Sequence, residues 1–139
     1  MSTSPGEVLR EWFEELWNQG REDTIDRLLA PDGVAHGLGA QPLVGPDQFK
    51  PFYRQFRGAF PDFHVEVREV VVEGDMAAAL CHVTGVHCGP GMGQPSNANV
   101  DFWGMTMARV KNGQLVEGWN NYDFMTCYQQ MGVLPQPSL

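Results

Sequence analysis

Asp123 is the residue whose type and surroundings best suit acid/base chemistry. Trp119, Tyr122 and Phe124 are its neighbours in the sequence, and burial among such side chains would raise the pKa of its carboxyl group toward neutral pH. A carboxyl group in that state can take a proton from the carbon beside a carbonyl and return it to the new alkoxide. The alternative is that Asp123 caps the helix that follows it, a position that aspartate favours. That role predicts an ordinary or lowered pKa.

Two neighbours of Asp123 are candidates for substrate binding. Residues two apart on a β-strand share a face, so Trp119, Asn121 and Asp123 are expected to lie together. Trp119 would then form an aromatic wall, and the amide of Asn121 could donate a hydrogen bond to a developing enolate oxygen. A plain hydrogen bond at the strand end is the alternative role for Asn121.

Two histidines are expected near the same pocket, and either could orient a substrate or shuttle a proton. His36 ends a short extended segment, and His87 lies toward the rim of a long strand. The alternative for each is an ordinary hydrogen-bonded histidine. His82 and His87 are five residues apart and face opposite sides of a regular strand, so no metal site is predicted.

Aromatic residues are numerous enough to line a pocket for a flat or terpenoid ligand. The alternative is that they only fill the core. The predicted lining residues are Trp12, Phe56, Phe60 and Trp103.

The hydrophobic spacing predicts helices first and strands afterwards, which is the order of an α+β domain whose helices cover one face of a sheet. A β-bulge is expected near Glu69 to Val72, and Asn112-Gly113 is a two-residue hairpin signal. The predicted helices run from Pro5 to the Asn18-Gln19-Gly20 stop, from Glu22 to Leu29, from Asp47 to Phe60 and from Phe124 to Met131. The predicted strands are a short piece at Val34 to His36, one from Phe63 to the Gly74-Asp75 turn, and then Met76 to Cys88, Asn99 to Val110 and Leu115 to Tyr122.

Composition narrows the class of partner. A chain of 139 residues is expected to form one domain, 1–139. Its formal charge of −8 disfavours nucleic acid and anionic lipid as partners. No apolar run is long enough to span a membrane, and no secretory signal is recognisable, so a cytoplasmic protein with a small organic ligand is expected.

Several motifs together resemble the SnoaL-like polyketide cyclases of the nuclear-transport-factor-two-like superfamily. They are Phe60-Pro61-Asp62, Gly85-Val86-His87, the hairpin from Lys111 to Glu117, and Trp119-Asn120-Asn121-Tyr122-Asp123 followed by Tyr128-Gln129-Gln130-Met131-Gly132. The resemblance implies a cone-shaped, curved antiparallel sheet (the cystatin-like α+β barrel) with the N-terminal helices on its concave face. It also implies a cyclase or isomerase, of the lyase or isomerase class, in which Asp123 is the acid/base of an intramolecular aldol ring closure. The resemblance implies neither a metal nor an organic cofactor. It does imply that two copies pair through their sheets.

Two other functions are compatible with the same fold. The first is that of a non-catalytic module that binds a small molecule or dimerises. An epoxide hydrolase or hydratase of the limonene-epoxide-hydrolase type is the other, for which Asp101, Arg109 and Asp123 supply the residue types. Their spacing departs from that enzyme pattern, because no arginine lies two positions from either aspartate.

Overall fold

The computed structural model describes residues 4–134 as helices followed by strands. The sequence begins with α1 (Pro5–Glu11), which continues directly into a π-helical segment (Trp12–Asn18). The remaining helices are α2 (Asp23–Leu28), α3 (Gly45–Ala59) and α4 (Phe124–Met131). The strands are β1 (Leu29–His36), β2 (Leu43–Val44), β3 (His64–Glu73), β4 (Met76–Val86), β5 (Asn99–Lys111) and β6 (Gln114–Tyr122). Within residues 4–134 no helix is long and apolar enough to cross a membrane.

All six strands form one curved sheet in the order β2-β1-β6-β5-β4-β3. The long strands β3 to β6 are antiparallel neighbours, as predicted. The sheet as a whole is mixed rather than antiparallel, because β1 runs parallel to β6. Parallel neighbours need a long crossover connection, and here β1 and β6 are separated in sequence by all the other strands and by α3.

The helices bury their apolar faces on the concave side of the sheet. Trp17, in the π-helical segment, packs edge-on against Tyr53 of α3 at a ring-centroid distance of 5.0 Å and lies 5.2 Å from Phe63. Tyr53 also donates a hydrogen bond to the Leu16 backbone oxygen at 2.8 Å. The N-terminal helices and α3 are thereby held together as the wall opposite the sheet.

Most element boundaries agree with the sequence prediction. The Asn112-Gly113 turn has φ values of 53° and 74°, the positive φ pair that a two-residue hairpin turn requires. The bulge in β3 lies between Val67 and Glu69, at the edge of the expected range. The largest difference is β1, which begins five residues earlier than predicted, at Leu29. Leu29 pairs with Leu115 of β6, and an irregular stretch follows before regular pairing resumes at Val34.

The two faces of β5 alternate without interruption. Its even-numbered residues from Val100 to Val110 face the helices and its odd-numbered residues face outward. In β6 the register shifts next to Val116, so Gly118, Asn120 and Tyr122 face inward. This alternation decides which side chains reach the interior of the cone.

Candidate functional site

A pocket lies between the helices and the concave face of the sheet. It encloses about 770 Å³ of space free of atoms, part of it open to solvent at the mouth. Its walls are almost entirely apolar and aromatic, the composition typical of a small-molecule site. The aromatic wall residues include Trp12, Trp17, Phe49, Phe52, Phe56 and Phe124.

The floor of the pocket carries a polar cluster made by Thr106 of β5 with Asn120 and Tyr122 of β6. The Thr106 hydroxyl lies 2.8 Å from Asn120 Oδ1 and 2.8 Å from the Tyr122 hydroxyl. Asn120 Nδ2 donates to the backbone oxygen of His36 at 2.9 Å. Among the described lining residues there is no Asp, Glu, His, Lys or Arg. The polar side-chain groups of the lining are therefore this cluster and the indole N–H groups of Trp12 and Trp17.

The Tyr122 ring lies flat on the sheet because its cross-strand partner is glycine. Gly104 pairs with Tyr122, and a Cβ at position 104 would overlap the aromatic ring. Burial raises the pKa of the Tyr122 phenol well above its usual value, and the neighbouring Cys81 thiol adds to that rise. The phenol is therefore protonated at neutral pH.

Of the aromatic residues predicted to line the pocket, Trp12 and Phe56 do so. Phe60 is fully buried behind the wall, where it stacks on Phe56 at 5.2 Å and lies 5.4 Å from the His87 ring. It therefore supports the wall without being part of the lining. Trp103 lies on the opposite face of the sheet.

Asp123 is exposed, and its predicted rise in pKa is wrong. Its carboxylate accepts hydrogen bonds from the Thr126 backbone N–H at 3.0 Å and from the Thr126 hydroxyl at 2.6 Å. These bonds make it the N-cap of α4. They also lower its pKa, because hydrogen bonds to a carboxylate stabilise its charged form. The alternative considered from the sequence, a helix cap, describes its geometry.

Trp119, Asn121 and Trp103 share the outer face of the sheet, so the prediction that they line the pocket is wrong. Trp103 stacks on His82 with ring centroids 4.6 Å apart, and Asn121 is exposed. In the middle of β5 both faces carry large apolar side chains, Phe102 on the inner face and Trp103 with Met105 on the outer one. A period of two therefore did not identify the inner face.

His36 also lies outside the pocket. Its Nε2 is 2.7 Å from a carboxylate oxygen of Glu117, and its ring stacks on Trp119 at 5.8 Å. Only its backbone oxygen takes part in the site, as the acceptor for Asn120. Ala35, the residue before it on β1, is the one that lines the pocket.

His87 is buried next to the pocket wall but outside the lining. Its Nδ1 accepts from the Ser96 backbone N–H at 3.2 Å and lies 2.9 Å from the Ser96 hydroxyl. Its Nε2 is buried and has no hydrogen-bond partner within residues 4–134. The His87 ring therefore holds the loop after β4 through Ser96 and packs on Phe60. It is not among the residues that line the pocket.

Neither a metal nor an epoxide-hydrolase arrangement is assembled from the described residues. No three His, Cys, Asp or Glu side chains of residues 4–134 are grouped so that they could hold a metal ion. Asp101 lies 2.7 Å from His82, and Arg109 is paired with Asp75 at 3.2 Å. With Asp123 bonded to Thr126, these three side chains do not converge on a water site.

The family model of the SnoaL-like polyketide cyclases matches residues 7–131. The chain belongs to the SnoaL-like polyketide cyclase family. A candidate SnoaL-like polyketide cyclase from Jannaschia sp. CCS1 is 26% identical, with a TM-score of 0.84 over 97% of this chain and 99% of that one. IdmH, a candidate polyketide cyclase from Streptomyces antibioticus, is 28% identical, with a TM-score of 0.80 over 93% and 99% of the two chains.

A further structural relative carries a different name. AclR, a candidate hydroxylase from Streptomyces galilaeus, is 25% identical, with a TM-score of 0.82 over 99% of this chain and 91% of that one. No curated protein matches the sequence significantly. The family and the nuclear-transport-factor-two-like fold inferred from the motifs are thus confirmed, and the fold accommodates more than one named chemistry.

The residues that sequence reasoning missed in this SnoaL-like protein are Thr106, Asn120 and Tyr122. Asn120 and Tyr122 stand within the motif that was singled out, one position away from the residues chosen. A usable signal was present in Gly104, since a glycine in a strand interior often marks close approach by another group. Here that group is the Tyr122 ring.

Proposed function

We propose that this SnoaL-like protein binds a small, carbonyl-rich and mainly apolar compound in its conical pocket and closes a ring in it, as a cofactor-independent cyclase or isomerase. The observation that carries the proposal is the pocket itself, an apolar cone with one polar cluster at its floor. Membership of the SnoaL-like family supports the choice of ring closure.

In such a reaction the enol carbon of one part of the substrate forms a bond to a carbonyl carbon of another part. The enol oxygen becomes a carbonyl oxygen, and the attacked carbonyl oxygen ends as a hydroxyl that carries the released proton. Atoms are conserved, so the step is an isomerisation. The protein contributes by holding a flexible chain folded, with its reacting carbons in contact. Aromatic walls such as Phe56 and Phe124 provide that shape.

The acid/base role that the resemblance implies for Asp123 is less well supported than a role for the floor. The Asp123 carboxylate would have to leave Thr126 and cross to the other face of the strand end before it could reach a ligand. Tyr122 already lines the pocket and bonds to Thr106. We therefore assign the positioning of the reacting oxygen to Tyr122.

A second function, binding without turnover, is favoured by one specific observation. The Tyr122 phenol is the only ionisable group among the described lining residues, and its raised pKa keeps it protonated. A pocket built in this way holds a ligand without offering it a base. In that case the protein is the non-catalytic binding module of the same fold.

The test is to incubate the protein with short aromatic poly-β-ketones and follow ring closure by absorbance and by mass spectrometry of the isomeric product. Wild type, Tyr122→Phe and Asp123→Asn are compared at equal folded concentration. We expect turnover that falls about tenfold in Tyr122→Phe, the value of about one hydrogen bond, and is retained in Asp123→Asn. Saturable binding without conversion would instead establish the binding module. Loss of turnover in Asp123→Asn alone would restore the aspartate as acid/base.

We also propose that two copies pair through the outer face of the sheet. Trp103, Met105 and Met107 are 43%, 50% and 44% exposed there. Adjacent exposed apolar side chains of this size are typical of a protein–protein contact. The expectation of a homodimer from the family resemblance agrees with this placement.

A further inference from the structure

The hydrogen bonds at the floor of the pocket have a fixed direction. The backbone oxygen of His36 can only accept, so the side chain of Asn120 must turn its Nδ2 toward it, at 2.9 Å. Asn120 Oδ1 then faces Thr106 and accepts the single hydroxyl proton of Thr106 at 2.8 Å. With that proton committed, the 2.8 Å contact between Thr106 and Tyr122 requires Tyr122 to be the donor.

This direction determines what the phenol offers to a ligand. The proton of Tyr122 points at Thr106. Because Tyr122 lines the pocket, its oxygen can accept a hydrogen bond from a ligand there. The thiol of Cys81 also lies within hydrogen-bonding reach of the phenol, and it is directed as well to the Ala79 backbone oxygen at 3.9 Å. A phenol oxygen has two lone pairs, so a contact with this one thiol leaves the other lone pair for a ligand. The floor therefore presents an acceptor, and a neutral one, since the phenol is protonated at neutral pH.

We propose that the pocket recognises a ligand hydroxyl, as an enol or a phenol, by accepting its proton at the Tyr122 oxygen, and that it disfavours an aprotic carbonyl or ether of the same shape. The inference rests on the proposed function, because it names the substrate class of the same pocket. A β-dicarbonyl compound exists partly as its enol, and the enol is the nucleophilic form in an aldol ring closure. Selection of the enol would bind the substrate in the form that reacts.

The experiment compares three bicyclic probes of nearly equal size: α-naphthol, which donates a proton, α-methoxynaphthalene, which does not, and α-tetralone, which offers a carbonyl. Dissociation constants are measured by calorimetry for wild type and Tyr122→Phe, with far-UV circular dichroism to establish folding. The ratio of the ether Kd to the naphthol Kd is expected to fall about tenfold from wild type to Tyr122→Phe, the worth of roughly one hydrogen bond. The two probes differ in hydration by the same amount for both proteins, so this difference cancels when the ratio in wild type is compared with the ratio in Tyr122→Phe.

A second variant tests the direction of the bonds. Thr106→Val removes the acceptor of the Tyr122 proton, which is then free to be donated to a ligand. The affinity for α-tetralone relative to α-naphthol is expected to rise several-fold in Thr106→Val. This arm decides the proposal even if Tyr122→Phe were poorly folded.

The outcomes separate the inference from the function beneath it. If none of the three probes binds the wild-type protein, the apolar-ligand function fails and the inference fails with it. If they bind but the ether-to-naphthol ratio is the same in wild type and Tyr122→Phe, the inference alone is overturned. An unchanged tetralone preference in Thr106→Val would also overturn it.

Discussion

Gly104→Ala is the substitution whose consequence the geometry determines most sharply. Position 104 faces the pocket side of β5, directly opposite Tyr122 on β6. A methyl group there would overlap the Tyr122 ring and press on the Tyr122 backbone. The ring must therefore move off the sheet, and its hydrogen bond to Thr106 must stretch or break.

The free energy of unfolding is expected to fall by about 2 kcal/mol. Overpacking of this kind costs roughly 1–3 kcal/mol, and the loss of the Tyr122–Thr106 hydrogen bond about 1 kcal/mol more. Replacement of a strand glycine by alanine returns roughly 0.5–1 kcal/mol through the unfolded chain. With an m-value of ~2 kcal/mol/M, the urea midpoint should shift downward by ~1 M. Urea unfolding followed by far-UV circular dichroism measures it.

Gly118→Ala is the matched control. Gly118 also lines the pocket from β6, but a Cβ there meets only the Met107 backbone oxygen, at the ordinary contact distance of 3.9 Å. Its stability should remain within about 0.5 kcal/mol of wild type or rise slightly. If Gly104→Ala proved as stable as Gly118→Ala, the flat placement of the Tyr122 ring would be refuted.

Three further outcomes are expected. Asp123→Ala should lower the free energy of unfolding by about 1 kcal/mol at neutral pH. Because Thr126 lowers the pKa of Asp123 in the folded protein, this difference from wild type is present above pH ~4 and is lost as the pH falls further. Equal stability of the two proteins in urea at neutral pH would contradict this expectation. Because the pKa of Tyr122 is raised in the folded protein, the tyrosine of the unfolded chain ionises first, and the free energy of unfolding falls as the pH rises above ~10. Tyr122→Phe should reduce the slope of that fall by up to ~1.4 kcal/mol per pH unit. Urea midpoints that fall equally with alkaline pH in wild type and Tyr122→Phe would count against this expectation. In sedimentation velocity, Met105→Glu should convert the proposed dimer to a monomer. Met125→Glu, on the exposed surface of α4, should leave the dimer unchanged. A wild-type protein that sediments as a monomer would remove the dimer proposal.

The elements could be predicted from the sequence because each has a local cause. Asn112-Gly113 has the positive φ angles that its turn needs, and the change from helical to alternating spacing after Phe60 marks the change from helices to sheet. The parallel pairing of β1 with β6 could not be predicted in the same way. It joins segments from the two ends of the chain, and no local pattern encodes such a contact.

The residues that face the pocket could be predicted only in part, since a strand with two apolar faces does not reveal which is inner. Trp12 and Phe56 were found because a helix has one apolar stripe. Trp103 and Trp119 were misplaced because a shift of one residue exchanges the faces of a strand. For Asp123, aromatic neighbours in sequence suggested burial, but the nearest partners in space are the hydrogen-bond donors of Thr126.

The measurement that tests the central claim most directly uses two neighbouring residues on opposite faces of β6. Asn120 lies in the floor of the pocket and Asn121 on the outer face, so their side-chain amide signals in heteronuclear NMR report the two faces separately. On titration with α-naphthol, the Asn120 signals should shift with a saturable dependence while the Asn121 signals stay in place. Shifts confined to Asn121 would place the ligand on the face that carries Trp119 and Asp123, and would contradict the assignment of the site to the concave pocket.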